Sequence, residues 1–163
     1  VEVRSFDLDE LSDCKRRVLA CFEAGAIGSG CTWTWRRAQP RYANLRQERV
    51  LADVWNEVMG EIGRPVVAIS GAGGGSTDMG NVSQVVPAIH PAIAIHGTTA
   101  PPHTIEFEAA AISPAADRTV IDAATALAWT AATAASTPEV RTDLLDRQSA
   151  RPAGATRVCQ DRD

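Results

Sequence analysis

The feature that most constrains this chain is a junction near residue 63. Leu51, Val54, Trp55, Val58, Met59 and Ile62 recur at three- and four-residue steps, the spacing of one buried helical face. Asn44 is placed to cap that helix, with Gln47 three residues on as in a capping box. Gly63 and Pro65 stop it. Val66-Val67-Ala68-Ile69 follows at once as an unbroken apolar run, as in a strand covered on both faces. A helix delivered straight into such a strand calls for layers either side of a sheet, so the expected fold class is α/β.

The remaining pattern fits that class. Glu2–Phe6 reads as a short strand. Asp7 or Asp9 then caps a helix whose inward face is Leu8, Leu11, Cys14, Val18, Cys21 and Phe22, ended by Gly25, Gly28 and Gly30. Cys31 to Arg36 alternates with period two and reads as a second strand, with Cys31, Trp33 and Trp35 on one face. Ala92–Ile95 is another buried strand. A short helix starts near Thr104, and an alanine-rich one runs from about Asp117 to Ala135 with Ile121, Ala124, Leu127, Ala128 and Ala131 inward. From Asp146 the chain turns polar and aperiodic, as a disordered tail does.

Composition excludes some function classes. A formal net charge of -4, with no long Lys/Arg block, gives no basic field for nucleic acid. No stretch reaches the roughly 18 apolar residues of a membrane span. The four cysteines form no CxxC pair, which excludes a zinc ribbon or thioredoxin motif and fits a reducing cytoplasm. Cys14 and Cys21 read as small buried hydrophobes.

Several motifs have both a chemical and a structural reading. The run Gly71-Ala72-Gly73-Gly74-Gly75-Ser76 follows a strand, yet it lacks the third glycine of a dinucleotide fingerprint and the Gly-Lys-Ser/Thr of a phosphate loop. A tight loop at a strand end, bringing Ser76, Thr77, Asp78 and Asn81 together, is the better reading. Of the three histidines, His103 is the best-placed metal ligand, because Pro101-Pro102 stiffens the approach and Thr104 caps the following helix. His90 and His96 read as bystanders. Glu106 and Glu108 sit at a helix start, where negative charge is favourable without any catalytic role. Trp33 and Trp35 read as a packed strand face.

Three stretches together carry a family resemblance: Ser76-Thr77-Asp78-Met79-Gly80-Asn81-Val82-Ser83, Val85-Val86-Pro87-Ala88-Ile89-His90-Pro91 and His103-Thr104-Ile105-Glu106-Phe107. They resemble the C-terminal signature of the peptidase M-twenty family of metal-dependent amidohydrolases, in particular its aminoacylase and aminobenzoyl-glutamate hydrolase branch. The resemblance implies that residues 1–40 form the second half of a ferredoxin-like lid and dimerisation domain. Residues 41–145 would form the last part of a metallopeptidase catalytic domain, a mixed sheet flanked by helices, and 146–163 the tail.

It further implies hydrolysis of the amide bond in small N-acyl amino acids, aminobenzoyl-glutamate-like conjugates or dipeptides. The cofactor would be a divalent metal, zinc first and manganese or cobalt next. His103 would be a metal ligand, Arg4 a lid arginine gripping the substrate carboxylate, and Ser76, Thr77, Asp78 and Asn81 the loop beside the substrate. The family's other ligands and its general-base glutamate fall upstream of Val1, so no catalytic residue is expected within this chain and the chain alone is expected to be inactive. Expected partners are the small substrate and either a second copy, paired through the lid, or the N-terminal half. A non-catalytic dimerising module derived from the family is the competing expectation.

Overall fold

The computed structural model describes residues 1–64, 66 and 75–151, which form two compact units. Among the described residues, the first comprises Val1–Arg46 and Gly75–Val85, the second 47–64, 66 and Val86–Arg151.

In the first unit, α1 spans Leu8–Ser29. The Asp7 carboxylate accepts from the backbone N–H of Asp9 at 2.8 Å and of Glu10 at 2.9 Å, taking up two of the orphan donors at the helix start. Of the three glycines expected to end it, Gly25 and Gly28 run through as helix. Only Gly30 stops it, with φ +67. The N–H of Gly30 reaches Ile27 O at 3.2 Å and that of Cys31 reaches Ala26 O at 2.9 Å, the Schellman pattern. The inward face is set by Ala26, which is buried, and by half-buried Leu8, Leu11, Cys14, Val18 and Leu19, whereas Cys21 and Phe22 are exposed.

Residues 31–36 form no strand. The chain instead runs back along α1. Trp33 stacks on Phe22 with ring centroids 6.3 Å apart, Lys15 Nζ lies 4.5 Å over the Trp35 ring, and Arg41 Nη2 donates to Leu8 O at 3.2 Å. Of the expected strand face, Trp33 is half-buried against α1, while Cys31 and Trp35 are exposed. α3, Met79–Val85, completes this unit.

The second unit is built on α2, Arg49–Glu61. Its start lies beyond the expected cap at Asn44. Gln47 instead forms a parallel bridge with Ala88, and Glu48 N–H donates to Ala88 O at 2.9 Å, so helical geometry begins only after Glu48. Its end is as expected at Gly63, whose φ of +75 lets Arg64 N–H reach Met59 O at 2.7 Å. Val54, Trp55, Val58 and Met59 are buried and form one core with Ala126, against which Ile62, Ile89, Ile93 and Val140 pack.

One further helix closes over α2. α4, Ile105–Ala111, leads into α5, Pro114–Ser136, which lies on α2. The α5 face is the opposite of the one expected. Ala116, Thr119, Ala126 and Thr130 are buried, while Ile121 and Leu127 are 65% and 49% exposed, and Ala124, Ala128 and Ala131 are exposed too. Two physical reasons select this face. Ala126, wholly buried, lets α5 approach the bulky Trp55 and Met59 row closely. Arg64 then fixes the rotation by donating to Asp122 Oδ2 at 2.6 Å, to Thr119 Oγ1 at 3.1 Å and to Ala94 O at 2.9 Å.

α6, Pro138–Ser149, packs on α5 and carries regular structure past the point where a tail was expected. Buried Glu48 secures it through Arg147 at 3.1 Å and Arg151 at 3.2 Å. Asp143, 2.8 Å from Arg147, raises the Arg147 pKa above its usual value.

The described residues are therefore helical and do not confirm the expected mixed sheet. Glu2–Phe6, Cys31–Arg36 and Ala92–Ile95, expected as strands, have no ladder among the described residues, and an extended segment without a neighbour's ladder is not a strand. Ala92–Ile95 is also covered on one side only, with Ile93 and Ile95 half-buried and Ala92 and Ala94 exposed. Of the expected strand Val66–Ile69, residues 67–69 lie outside the described residues, as do residues 71–74 of the glycine-rich run.

Candidate functional site

Of the four residues expected to share a loop, Ser76, Thr77 and Asp78 stand in the turn that opens α3, and Asn81 lies within the helix. The N–H of Gly80 donates to Thr77 O at 3.0 Å, and those of Asn81 and Val82 donate to Asp78 O at 2.9 and 3.3 Å. Thr77 Oγ1 accepts from Met79 N–H at 3.3 Å and donates to Asp78 Oδ1 at 3.4 Å. Ser76 and Asp78 are exposed, so their hydroxyl and carboxylate are the groups this turn offers to solvent or to a ligand.

Asn81 faces the other way. Its Oδ1 accepts from Ala43 N–H at 2.6 Å and its Nδ2 donates to Arg41 O at 3.1 Å. Two α3 neighbours, which periodicity gives no reason to single out, do the same. Ser83 Oγ accepts from Arg46 N–H at 2.9 Å and donates to Gly80 O at 2.7 Å, while Gln84 Nε2 donates to Asn44 O at 2.6 Å. The one signal available in the sequence was chemical, three polar side chains crowded into a very short helix.

Arg4, also in this unit, is exposed and sits 2.9 Å from Glu2 in an ion pair. A solvent-facing pair of this kind is worth at most about 1 kcal/mol.

His103 belongs to the second unit. Its φ of +70 makes it the one non-glycine residue in the left-handed region among the described residues. Such a conformation costs about 1–2 kcal/mol for a side chain bearing Cβ and persists only where the surroundings impose it. The source of that constraint is visible. Thr104 Oγ1 donates back to Pro101 O at 2.9 Å and accepts from Phe107 N–H at 3.2 Å, capping α4 and closing the turn around His103. The imidazole is left exposed at the start of α4.

The other two histidines have different surroundings. His90 is held by its backbone, with its N–H donating to Gln47 Oε1 at 2.8 Å and its carbonyl accepting from Gln47 Nε2 at 3.3 Å. His96 is exposed before Gly97, whose φ is +84. Glu106 and Glu108 lie in the first turn of α4, as the helix-start reading expected. Among the described residues, no three His, Cys, Asp or Glu side chains gather into a metal-holding group. None of the helices searched there is long and apolar enough to cross a membrane.

No family model matches this chain. No solved structure matches it either. Two curated proteins do. The Xaa-Arg dipeptidase of Mus musculus is 36% identical over 131 residues, which is 78% of this chain and 30% of the mouse protein. The Xaa-Arg dipeptidase of Homo sapiens is 34% identical over 140 residues, 84% of this chain and 32% of the human protein. The chain thus spans less than a third of the length of these relatives. Similarity of this extent, over most of the chain, supports a peptidase family as its place.

Proposed function

We propose that this chain forms part of a metal-dependent dipeptidase of the peptidase M-twenty family, and that His103 supplies one of its metal ligands. The observation that carries the reading is the left-handed backbone of His103, a strain confined to the one histidine that the sequence motif marks as a ligand. The names of the two relatives point to a dipeptide with a C-terminal arginine as the substrate.

An exposed imidazole on a closed turn suits zinc, manganese or cobalt. Such a metal, when bound, polarises the scissile carbonyl and lowers the pKa of a bound water. One histidine does not hold a metal centre, so the remaining ligands and the general base would come from outside the described residues, and the chain alone is proposed to be inactive. Its own residues would act on the substrate. Arg4 would exchange Glu2 for the substrate carboxylate in a charge-assisted contact, and Ser76 and Asp78 would line the same site. Residues 1–40 as a lid half, 41–145 as catalytic-domain sequence and pairing of two copies through the lid belong to the same proposal.

The test is cobalt or zinc titration of the chain, followed by visible absorption or calorimetry, beside hydrolysis of an Xaa-Arg dipeptide by the same preparation. We expect weak binding that His103→Ala abolishes and that His90→Ala and His96→Ala leave in place, with no hydrolysis. Metal binding that survives His103→Ala would overturn the ligand assignment. Hydrolysis by the chain alone would overturn the proposed inactivity.

A further inference from the structure

We infer that Asn81, Ser83 and Gln84 are positioning residues, a latch through which the backbone of residues 41–46 sets the place of the Ser76–Asp78 turn. The inference rests on the dipeptidase reading of that turn, and it moves Asn81 from substrate contact to support.

The first link is α3 itself. At seven residues it is too short to be stable by its own hydrogen bonds. Its polar side chains instead bond sideways to main chain: Asn81 to residues 41 and 43, Ser83 to 46 and Gln84 to 44. These bonds take the role that a neighbouring strand's ladder would otherwise fill for an extended segment. Ser83 is fully buried, so its hydroxyl sits where an unmade bond is costly.

Gly80 provides the close approach. A Cβ built there would collide with the carbonyl of Ala43, so the two backbones lie directly against each other. The second link runs from α3 to the turn. Gly80, Asn81 and Val82 donate their N–H groups to the carbonyls of Thr77 and Asp78, and Met79 N–H donates to the Thr77 hydroxyl. Segment, helix and turn therefore form one hydrogen-bonded chain. A shift of residues 41–46 carries the Asp78 carboxylate with it.

Amide hydrogen exchange of the full 163-residue chain by NMR tests this. Asn81→Ala is expected to speed exchange at Ala43, which loses its acceptor. It is also expected to speed exchange at Gly80, Asn81 and Val82, all by about tenfold, the factor for two modest hydrogen bonds. Amides of α2 and α5 should not change. Ala43→Pro removes the donor from the opposite side and should give the same rise at Gly80–Val82. The double variant should rise no further, because both changes open one latch. Asn81→Asp keeps the acceptor for Ala43 and loses the donor to Arg41, so it should restore protection at Ala43 and give a smaller rise in the turn. That variant also decides the matter should Asn81→Ala fail to fold.

Wild-type exchange at Gly80–Val82 in Asn81→Ala, with Ala43 opened, would overturn the latch, as would additive effects in the double variant. These outcomes are independent of metal titration. Failure of the latch leaves the His103 result standing, and failure of the dipeptidase reading leaves the exchange pattern standing.

Discussion

Removing the Asp122 carboxylate should release the rotation of α5, and the size of the effect can be worked from its surroundings. The Arg64 side chain is only 9% exposed and makes contacts with Asp122, Thr119 and Ala94 O, while Asp122 is 36% exposed. A solvent-exposed pair is worth about 0.2–1 kcal/mol, whereas breaking a buried pair from one side costs about 3–5 kcal/mol. Asp122→Ala leaves the guanidinium with two neutral acceptors and partial access to water, which puts the expected loss between those ranges, at about 2 kcal/mol. Arg64→Ala removes all three contacts together with the aliphatic stem, so it should cost somewhat more. Arg64→Lys replaces the wide planar fork with a compact ammonium that does not span the three acceptors, so it should recover less than half of that loss.

Urea denaturation followed by circular dichroism reads these differences as shifts in midpoint at constant slope. The double variant Arg64→Ala/Asp122→Ala then isolates the pair, with an expected coupling of about 1–2 kcal/mol. A loss below about 0.5 kcal/mol in Asp122→Ala, the scale of ordinary surface substitutions, together with no coupling would refute the argument that this ion pair orients α5.

Three other outcomes follow from single positions. Trp55→Ala should cost about 3–5 kcal/mol in the same melt, since Trp55 is buried at the centre of the α2–α5 core. Thr130→Val should stabilise by up to about 1 kcal/mol, because the Thr130 hydroxyl is buried without a hydrogen-bond partner among the described residues and valine fills the same volume; a destabilised variant would contradict this. His103→Gly should raise the urea midpoint by the equivalent of up to about 1 kcal/mol by relieving the left-handed strain, while abolishing metal binding. If glycine lowers stability instead, the strain argument for His103 fails.

Much of the helical structure was legible before any tertiary information. Asp7, Gly30, Gly63 and Thr104 mark helix ends by local chemistry, because a capping carboxylate, a left-handed glycine and a capping hydroxyl act within a few residues. The Val54–Met59 stripe was equally plain. The candidate site was legible only as far as its motifs: Ser76–Asp78 form a turn from which Asn81 faces away, and His103 sits on the capped loop that its neighbours suggest. Its strain had no signal in the sequence, since φ at one residue depends on how Thr104 and Pro101 meet.

Long-range contacts decided the rest. Two faces of the alanine-rich α5 were similarly able to pack, and Arg64, far away in sequence, chose the one carrying Asp122 and Thr119. The last turn of α6, from Asp146, looked like tail because its sequence is polar, yet Glu48 holds it through Arg147 and, just beyond the helix, Arg151. Asn44 looked like a cap, but its carbonyl is taken by Gln84 and its neighbours by Asn81 and Ser83. The extended segments show the same limit. Alternation at Cys31–Arg36 prescribes two faces, but a strand also needs a partner's backbone, and here Trp33 and Trp35 meet Phe22 and Lys15 of α1 instead. Periodicity and capping act locally and were determined by the sequence alone; partner choice is a competition among distant groups, and only the tertiary structure settles it.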